Sequence, residues 1–222
     1  MTIDEFLNTF IYNGYGPYFL ILICGFLFGI ARWNQLTKAG KGLWAIIATS
    51  FIVELTGSYL YLGISAIESN NPSYHLINCL HFITYGYTFS KFASNKKLAR
   101  AFLYGGFLLA AYSVTSTFWI EGLKNYPTQA NIVFNAALVV GALFTFMDML
   151  RRPSQTSLTR QSIFWFVTAT LIFYASTFFS FALIDFYARQ GEYLPNWATN
   201  LINGMNYYLY TSYLVALWFD SR

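Results

Sequence analysis

Seven long apolar segments, separated by short polar breaks, constrain this chain more than any other feature of its sequence. They lie at approximately 17–33, 43–65, 74–93, 101–120, 129–150, 162–187 and 197–219. Each can cross the bilayer's hydrocarbon core, about 30 Å thick, as an α-helix that rises about 1.5 Å per residue. Helices are expected because backbone polar groups inside a bilayer must be satisfied within their own segment. The sequence therefore predicts an all-α polytopic membrane protein, with one domain of seven transmembrane helices over residues 1–222.

The composition agrees with this architecture and excludes several function classes. Hydrophobic residues make up 56% of the chain and charged residues only 10%, whereas a soluble domain carries about 25% charged residues. Soluble enzymes, disordered chains and disulfide scaffolds are therefore poor interpretations. The two cysteines, Cys24 and Cys79, both fall inside apolar segments, where a cysteine usually packs as a small hydrophobe.

The basic residues are distributed asymmetrically, and this asymmetry predicts the orientation of the helices. Eleven follow segments one, three, five and seven: Arg32, Lys38, Lys41, Lys91, Lys96, Lys97, Arg100, Arg151, Arg152, Arg160 and Arg222. Only Lys124 and Arg189 belong to the other side. Because Lys and Arg concentrate in cytoplasmic loops, the N-terminus is predicted outside and the C-terminus inside the cell. The net charge of +4 thus reflects topology and contacts with lipid headgroups, and does not indicate nucleic acid as a partner.

The third and seventh segments share a short pattern. Residues 76–85 begin Leu-Ile-Asn and end in Tyr, and residues 201–210 repeat these identities 125 positions later. Both segments are predicted to run from outside to inside, as a parallel repeat of three helices, a linker helix and three more requires. The match reflects either such a 3+1+3 repeat or chance agreement in an aromatic-rich sequence. Segments one and five, and two and six, show no comparable match.

Glu54 is the most unusual residue of the chain because it lies near the middle of the second segment. A charged side chain at the bilayer centre costs about 2.5–3.5 kcal/mol on insertion scales, so Glu54 is expected to face the bundle interior. His81, at similar depth on the next segment, is its predicted hydrogen-bond partner. The pair is interpreted either as a proton-handling or ligand site or as a hydrogen bond that joins two helices.

Asparagine and tyrosine side chains form stripes at helical spacing on three segments. The third carries Tyr74, Asn78, His81 and Tyr85; the seventh carries Asn196, Asn200, Asn203, Tyr207 and Tyr210, with Asn206 beside them; the fifth carries Asn131 and Asn135. Such residues either join helices or bind a polar ligand in a cavity open to the outside. The predicted ligand-binding or proton-handling residues are Glu54, Asn78, His81, Tyr85, Asn203, Asn206 and Tyr210. The sequence predicts no catalytic residue and no metal ligand.

Several membrane chemistries find no support in the sequence. A retinal Schiff base needs a buried lysine, but every lysine lies in or beside a polar break. Haem held by two histidines needs them on facing helices, whereas His75 and His81 share one segment. Zinc sites need more His, Cys or acidic ligands than any segment groups together. No cofactor is therefore assigned, and an enzyme is a minority interpretation.

The stretch from Glu54-Leu-Thr-Gly57 to Pro72-Ser-Tyr-His-Leu-Ile-Asn-Cys-Leu-His-Phe82 resembles small uncharacterised bacterial seven-helix membrane proteins. In those relatives an acidic residue often replaces His81. The resemblance covers segments two and three and brings no established activity. It implies a multi-pass protein of the bacterial inner (cytoplasmic) membrane. By topology alone, the chain is also similar to seven-helix 3+1+3 facilitators for sugars or vitamin precursors, although it lacks their proline-glutamine motif.

The sequence therefore leaves three functional hypotheses. The first is a small transporter or facilitator with a polar site in mid-membrane for a small polar solute or a proton. The second is a heptahelical sensor or receptor that binds a ligand from outside and acts through a separate protein partner. The third is a structural subunit of a membrane complex. The bilayer is a partner in all three.

Overall fold

A computed structural model describes residues 15–61, 71–152, 156–190 and 195–222. These residues form seven α-helices and no strand: α1 Tyr15–Ala31, α2 Lys38–Tyr61, α3 Asn71–Phe92, α4 Lys96–Ser116, α5 Thr128–Arg151, α6 Ser162–Arg189 and α7 Asn196–Asp220. A π-helical turn, Thr117–Glu121, continues α4, and a 3-10 turn, Leu158–Arg160, precedes α6. The first dozen residues, for which Phe6, Phe10 and Ile11 in the sequence suggest a short interfacial helix, lie outside the described residues. The all-helical fold predicted from the sequence is confirmed.

Each predicted segment coincides with one helix, but two helices begin earlier than hydropathy alone predicts. The second starts at Lys38 and the fourth at Lys96, each five residues before the apolar run. Side-chain caps explain both starts. The Thr37 hydroxyl accepts from the Gly40 amide at 3.2 Å, and the Asn95 side chain accepts from the Lys97 amide at 2.8 Å. A cap sets where a helix begins, whereas hydropathy marks only its apolar part.

The helices form a closed bundle. Consecutive helices pack against one another, and α7 packs against α1 and α2, which closes the ring. The third helix also packs against α5, so it is surrounded by neighbours. Its close approach to α4 depends on two glycines: a Cβ added at Gly106 would lie 2.6 Å from the Phe82 carbonyl oxygen and 3.1 Å from the Gly86 Cα.

The surface of the bundle is strongly apolar. Four helical stretches are long and apolar enough to cross a membrane: Lys38–Gly57, Lys96–Glu121, Thr128–Arg151 and Ser162–Ser180. Large side chains on their outer faces are exposed, among them Trp119 at 78%, Leu108 at 72% and Phe179 at 71%. Apolar surface of this extent is typical of a protein that contacts lipid. The chain therefore has the features of a membrane protein.

Three acidic side chains stabilise the ends of helices. The Asp220 carboxylate accepts from the Thr37 amide at 2.9 Å and from the Thr37 hydroxyl at 2.7 Å, which ties the end of α7 to the start of α2. Asp148 accepts from the amide and hydroxyl of Ser94. Glu121 accepts from the Ser116 hydroxyl at 2.9 Å and from the Gln129 amide at 2.5 Å. These contacts account for three of the four acidic side chains that the structure describes; the fourth is Glu54.

Candidate functional site

A cavity of about 290 Å³ lies between the helices, at the end of the bundle where α1, α3, α5 and α7 begin. The described residues that line it are mostly polar or aromatic. They are Tyr18, Glu54, Tyr74, Asn78, His81, Tyr126, Asn131, Phe134, Asn135, Phe173, Tyr174, Thr199, Ile202, Asn203, Asn206, Tyr207 and Tyr210. A cavity that combines aromatic walls with a few polar groups is the usual form of a small-molecule site.

Glu54 lies in the cavity wall, two turns before the last described residue of α2. The Tyr18 hydroxyl donates a hydrogen bond of 3.2 Å to its Oε1 atom. Among the described residues, Tyr18 is the one hydrogen-bond donor to this carboxylate. A half-buried carboxylate with one neutral donor among the described residues can still accept hydrogen bonds from water or a ligand in the cavity.

The predicted hydrogen bond between Glu54 and His81 is not formed. His81 Nε2 instead lies 3.1 Å from the Ser50 hydroxyl, which also accepts from Tyr210 at 2.8 Å. Ser50 is one turn before Glu54 on α2, so Ser50 and Glu54 lie on the same face of this helix. The sequence therefore placed His81 opposite the correct face of α2, but its partner is Ser50, one turn earlier on that helix than Glu54. Both His81 and Glu54 line the same cavity.

A layer of tyrosine hydroxyls lies beneath the cavity. Tyr85 bonds to Tyr213 at 2.9 Å and accepts from Tyr174 at 3.0 Å. Tyr213 also bonds to Thr170 at 2.8 Å. Tyr85 and Tyr213 are fully buried and are not among the lining residues. This hydrogen-bonded layer joins α3, α6 and α7 and closes the cavity at its inner end.

Two lining asparagines have amide donors without a partner among the described residues. Asn78 is 4% exposed and Asn135 is 2% exposed, and no described group accepts a hydrogen bond from the Nδ2 atom of either. A buried donor left unpaired costs about 1–3 kcal/mol. Both nitrogen atoms are almost completely enclosed by packing, so these two donors do not open directly into the cavity.

The loop before α5 covers part of the cavity. Tyr126 reaches the lining from this loop, and its ring packs edge-on against that of Tyr74, with 5.4 Å between centroids. Burial raises the pKa of Tyr126, while a hydrogen bond with the Asn131 side chain lowers it. Tyr126 therefore remains a neutral hydroxyl that contributes a polar group at the edge of the site.

The structure brings most of the predicted site residues together. Glu54, Asn78, His81, Asn203, Asn206 and Tyr210 all line the cavity. Tyr85 lies in the tyrosine layer below it. Sequence analysis did not select Tyr18, Tyr126 or Tyr174, because nothing distinguishes them among the 18 tyrosines of the chain. The stripe formed by Asn131 and Asn135 could have identified further site residues, because both side chains line the cavity.

The described residues contain no group of three or more His, Cys, Asp or Glu side chains that could hold a metal ion. Comparisons with known proteins give no match: no family model, no curated protein and no solved structure resembles this chain. The cavity and its side chains are therefore the basis for a functional proposal.

Proposed function

We propose that this chain is a small transporter or facilitator that admits a small polar solute, or a proton, into the cavity between its helices. The observation that carries the proposal is the convergence of Glu54 and five asparagines on one cavity: Asn78, Asn131, Asn135, Asn203 and Asn206. Polar and ionisable groups inside a membrane bundle are costly and mark substrate or ion pathways when they face a cavity.

The proposal includes seven membrane crossings, with the N-terminus outside. The third and seventh helices are not among the four most apolar, but their asparagines line the cavity. A helix can cross a bilayer with lower mean hydropathy when its polar residues face the protein interior. The cavity lies at the end opposite to the eleven clustered basic residues, so in this orientation it faces the outside of a bacterial inner membrane.

A 3+1+3 repeat would place the cavity between two related halves, as in transporters built from parallel repeats. Two placements support this part of the proposal. Asn78 and Asn203 both line the cavity, and Tyr85 and Tyr210 are both buried about two turns further along their helices. Superposition of α1–α3 on α5–α7, with α4 as linker, is the expected relation between the halves.

The orientation predicts opposite labelling of two exposed positions. In a background without Cys24 and Cys79, Gln190→Cys should react with a membrane-impermeant thiol reagent added outside intact cells, whereas Ser157→Cys should react only after permeabilisation. Both positions are exposed. Gln190 directly follows the end of α6, and Ser157 lies before its start. Labelling of position 157 in intact cells, with protection of position 190, would reverse the proposed orientation.

Flux through the purified protein tests the transport proposal directly. Liposomes containing the wild-type chain should take up at least one radiolabelled solute from glycerol, glycine, ethanolamine and choline faster than protein-free liposomes. Asn135→Leu should abolish the gain, because it replaces a lining amide with an apolar side chain of similar size. Leu108→Ala, on an exposed face of α4, is the matched control and should retain flux. Equal uptake with and without protein would reject transport.

A sensor is the second candidate, and the tyrosine layer is the observation that favours it. The layer closes the inner end of the cavity through Tyr85, Tyr174 and Tyr213, so a ligand could be held without a path to the other side. Binding of a solute without any flux, together with a soluble protein that co-purifies stoichiometrically with the chain, would favour the sensor over the transporter.

A further inference from the structure

The cavity lining is unusually rich in aromatic rings. Eight of its described residues are tyrosine or phenylalanine, and α1, α3, α5, α6, α7 and the loop before α5 all contribute. Rings that approach a site from several directions can surround a small ligand. The faces of such rings carry partial negative charge and attract cations within about 6 Å of the ring centroid.

The only carboxylate among these described lining residues lies next to some of the rings. Tyr18 donates to Glu54 at 3.2 Å, and the rings of Tyr18 and Tyr210 are 5.5 Å apart. One carboxylate beside aromatic faces is the arrangement that suits an ammonium group, because the carboxylate supplies the opposite charge and the rings replace the hydration shell.

The chain supplies no cation of its own to this carboxylate among the described residues. The lining contains no Lys or Arg, and His81 bonds to Ser50 rather than to Glu54. The three described cations that lie over aromatic rings, Lys41, Lys91 and Arg222, belong to the opposite end of the bundle. Among the described residues, therefore, no side chain supplies the positive charge that would complement Glu54.

The lining amides define a second requirement on the ligand. Asparagine side chains line the cavity at positions 78, 131, 135, 203 and 206, and an amide forms hydrogen bonds with a hydroxyl or carbonyl oxygen. A volume of about 290 Å³ is at the lower limit for small-molecule sites, which span about 300–1,000 Å³. The ligand is accordingly small.

We propose that the cavity binds a small organic ammonium ion that also carries a hydroxyl or carbonyl oxygen. Its ammonium group contacts Glu54 and the neighbouring rings, and its oxygen forms hydrogen bonds with lining amides such as Asn203 and Asn206. This inference rests on the proposed function, since it assigns the ligand class of the same cavity.

Equilibrium dialysis against the purified full chain tests the assignment with two cations and their neutral isosteres. Radiolabelled choline is compared with 3,3-dimethyl-1-butanol, and radiolabelled ethanolamine with 1-propanol, the neutral compounds serving as competitors. At least one cation should bind about tenfold or more tightly than its isostere, because only the cation interacts with the carboxylate and the ring faces. Glu54→Gln should remove most of this preference while leaving the affinity of the isostere within about twofold. Phe173→Leu should weaken cation binding several-fold.

The outcomes separate the ligand assignment from the transport proposal. If neither cation binds more tightly than its isostere, the assignment is wrong. This comparison needs only the wild-type protein. If glycerol or glycine then still enters liposomes through the wild-type protein but not through Asn135→Leu, transport survives with a different substrate. A cation preference that persists unchanged in a folded Glu54→Gln protein would also overturn the assignment.

Discussion

Gly106→Ala is expected to lower the thermal stability of the protein sharply. The new Cβ would lie 2.6 Å from the Phe82 carbonyl oxygen and 3.1 Å from the Gly86 Cα. Both contacts involve backbone, which cannot rotate away, so α3 and α4 would have to separate. Overpacking of this kind costs about 1–3 kcal/mol, and each kcal/mol lowers the Tm of a chain of this size by about 2–4 °C. Thermal unfolding in detergent, followed by circular dichroism, measures the change.

Gly105→Ala is the matched control, one position away on the same helix. A Cβ at Gly105 meets no atom within 4 Å. Alanine also favours the helix over glycine by about 0.8–1.0 kcal/mol, so this variant should unfold at or slightly above the wild-type temperature. Equal losses in both variants would mean that helix propensity or expression, and not the close contact between α3 and α4, governs stability at this site.

Glu54→Gln is expected to abolish solute flux while leaving the fold intact. Glutamine has nearly the same shape as glutamate and can still accept from Tyr18, so unfolding should occur within a few degrees of wild type. It carries no charge and cannot exchange a proton, and both properties are needed if Glu54 binds a cation or handles protons. Uptake into liposomes and the Tm of the same preparation give the two measurements.

Two further variants separate function from structure at this position. Glu54→Leu removes the acceptor for the Tyr18 hydroxyl and should lower stability by about 1–3 kcal/mol, because a buried donor is left unpaired. Glu121→Gln changes a carboxylate outside the cavity lining, bonded to Ser116 and Gln129, and should leave flux near wild type. If Glu54→Gln supports normal flux and only Glu54→Leu has an effect, Glu54 is a link between helices and not a transport residue.

The site residues could be selected from sequence because polar groups are rare in apolar segments. Glu54, Asn78 and Asn203 stand out for that reason, and all three line the cavity. Their partners could not be selected in the same way. Helical periodicity gives the face of a side chain but not the axial offset between two helices, and an offset of one turn pairs His81 with Ser50 instead of Glu54.

The sequence by itself determined the all-helical class, the seven helices and their approximate bounds. These features depend on the length and hydropathy of each segment, and both are local properties of the sequence. Only the tertiary structure decided that α1 packs against α7 and brings Tyr18 to Glu54, and that Tyr85, Tyr174 and Tyr213 form one layer. Tyrosine is common throughout this chain, so the presence of a tyrosine at a position does not predict whether its hydroxyl belongs to the layer. Which hydroxyls meet depends on how helices far apart in sequence approach one another, and that is set by packing across the whole bundle.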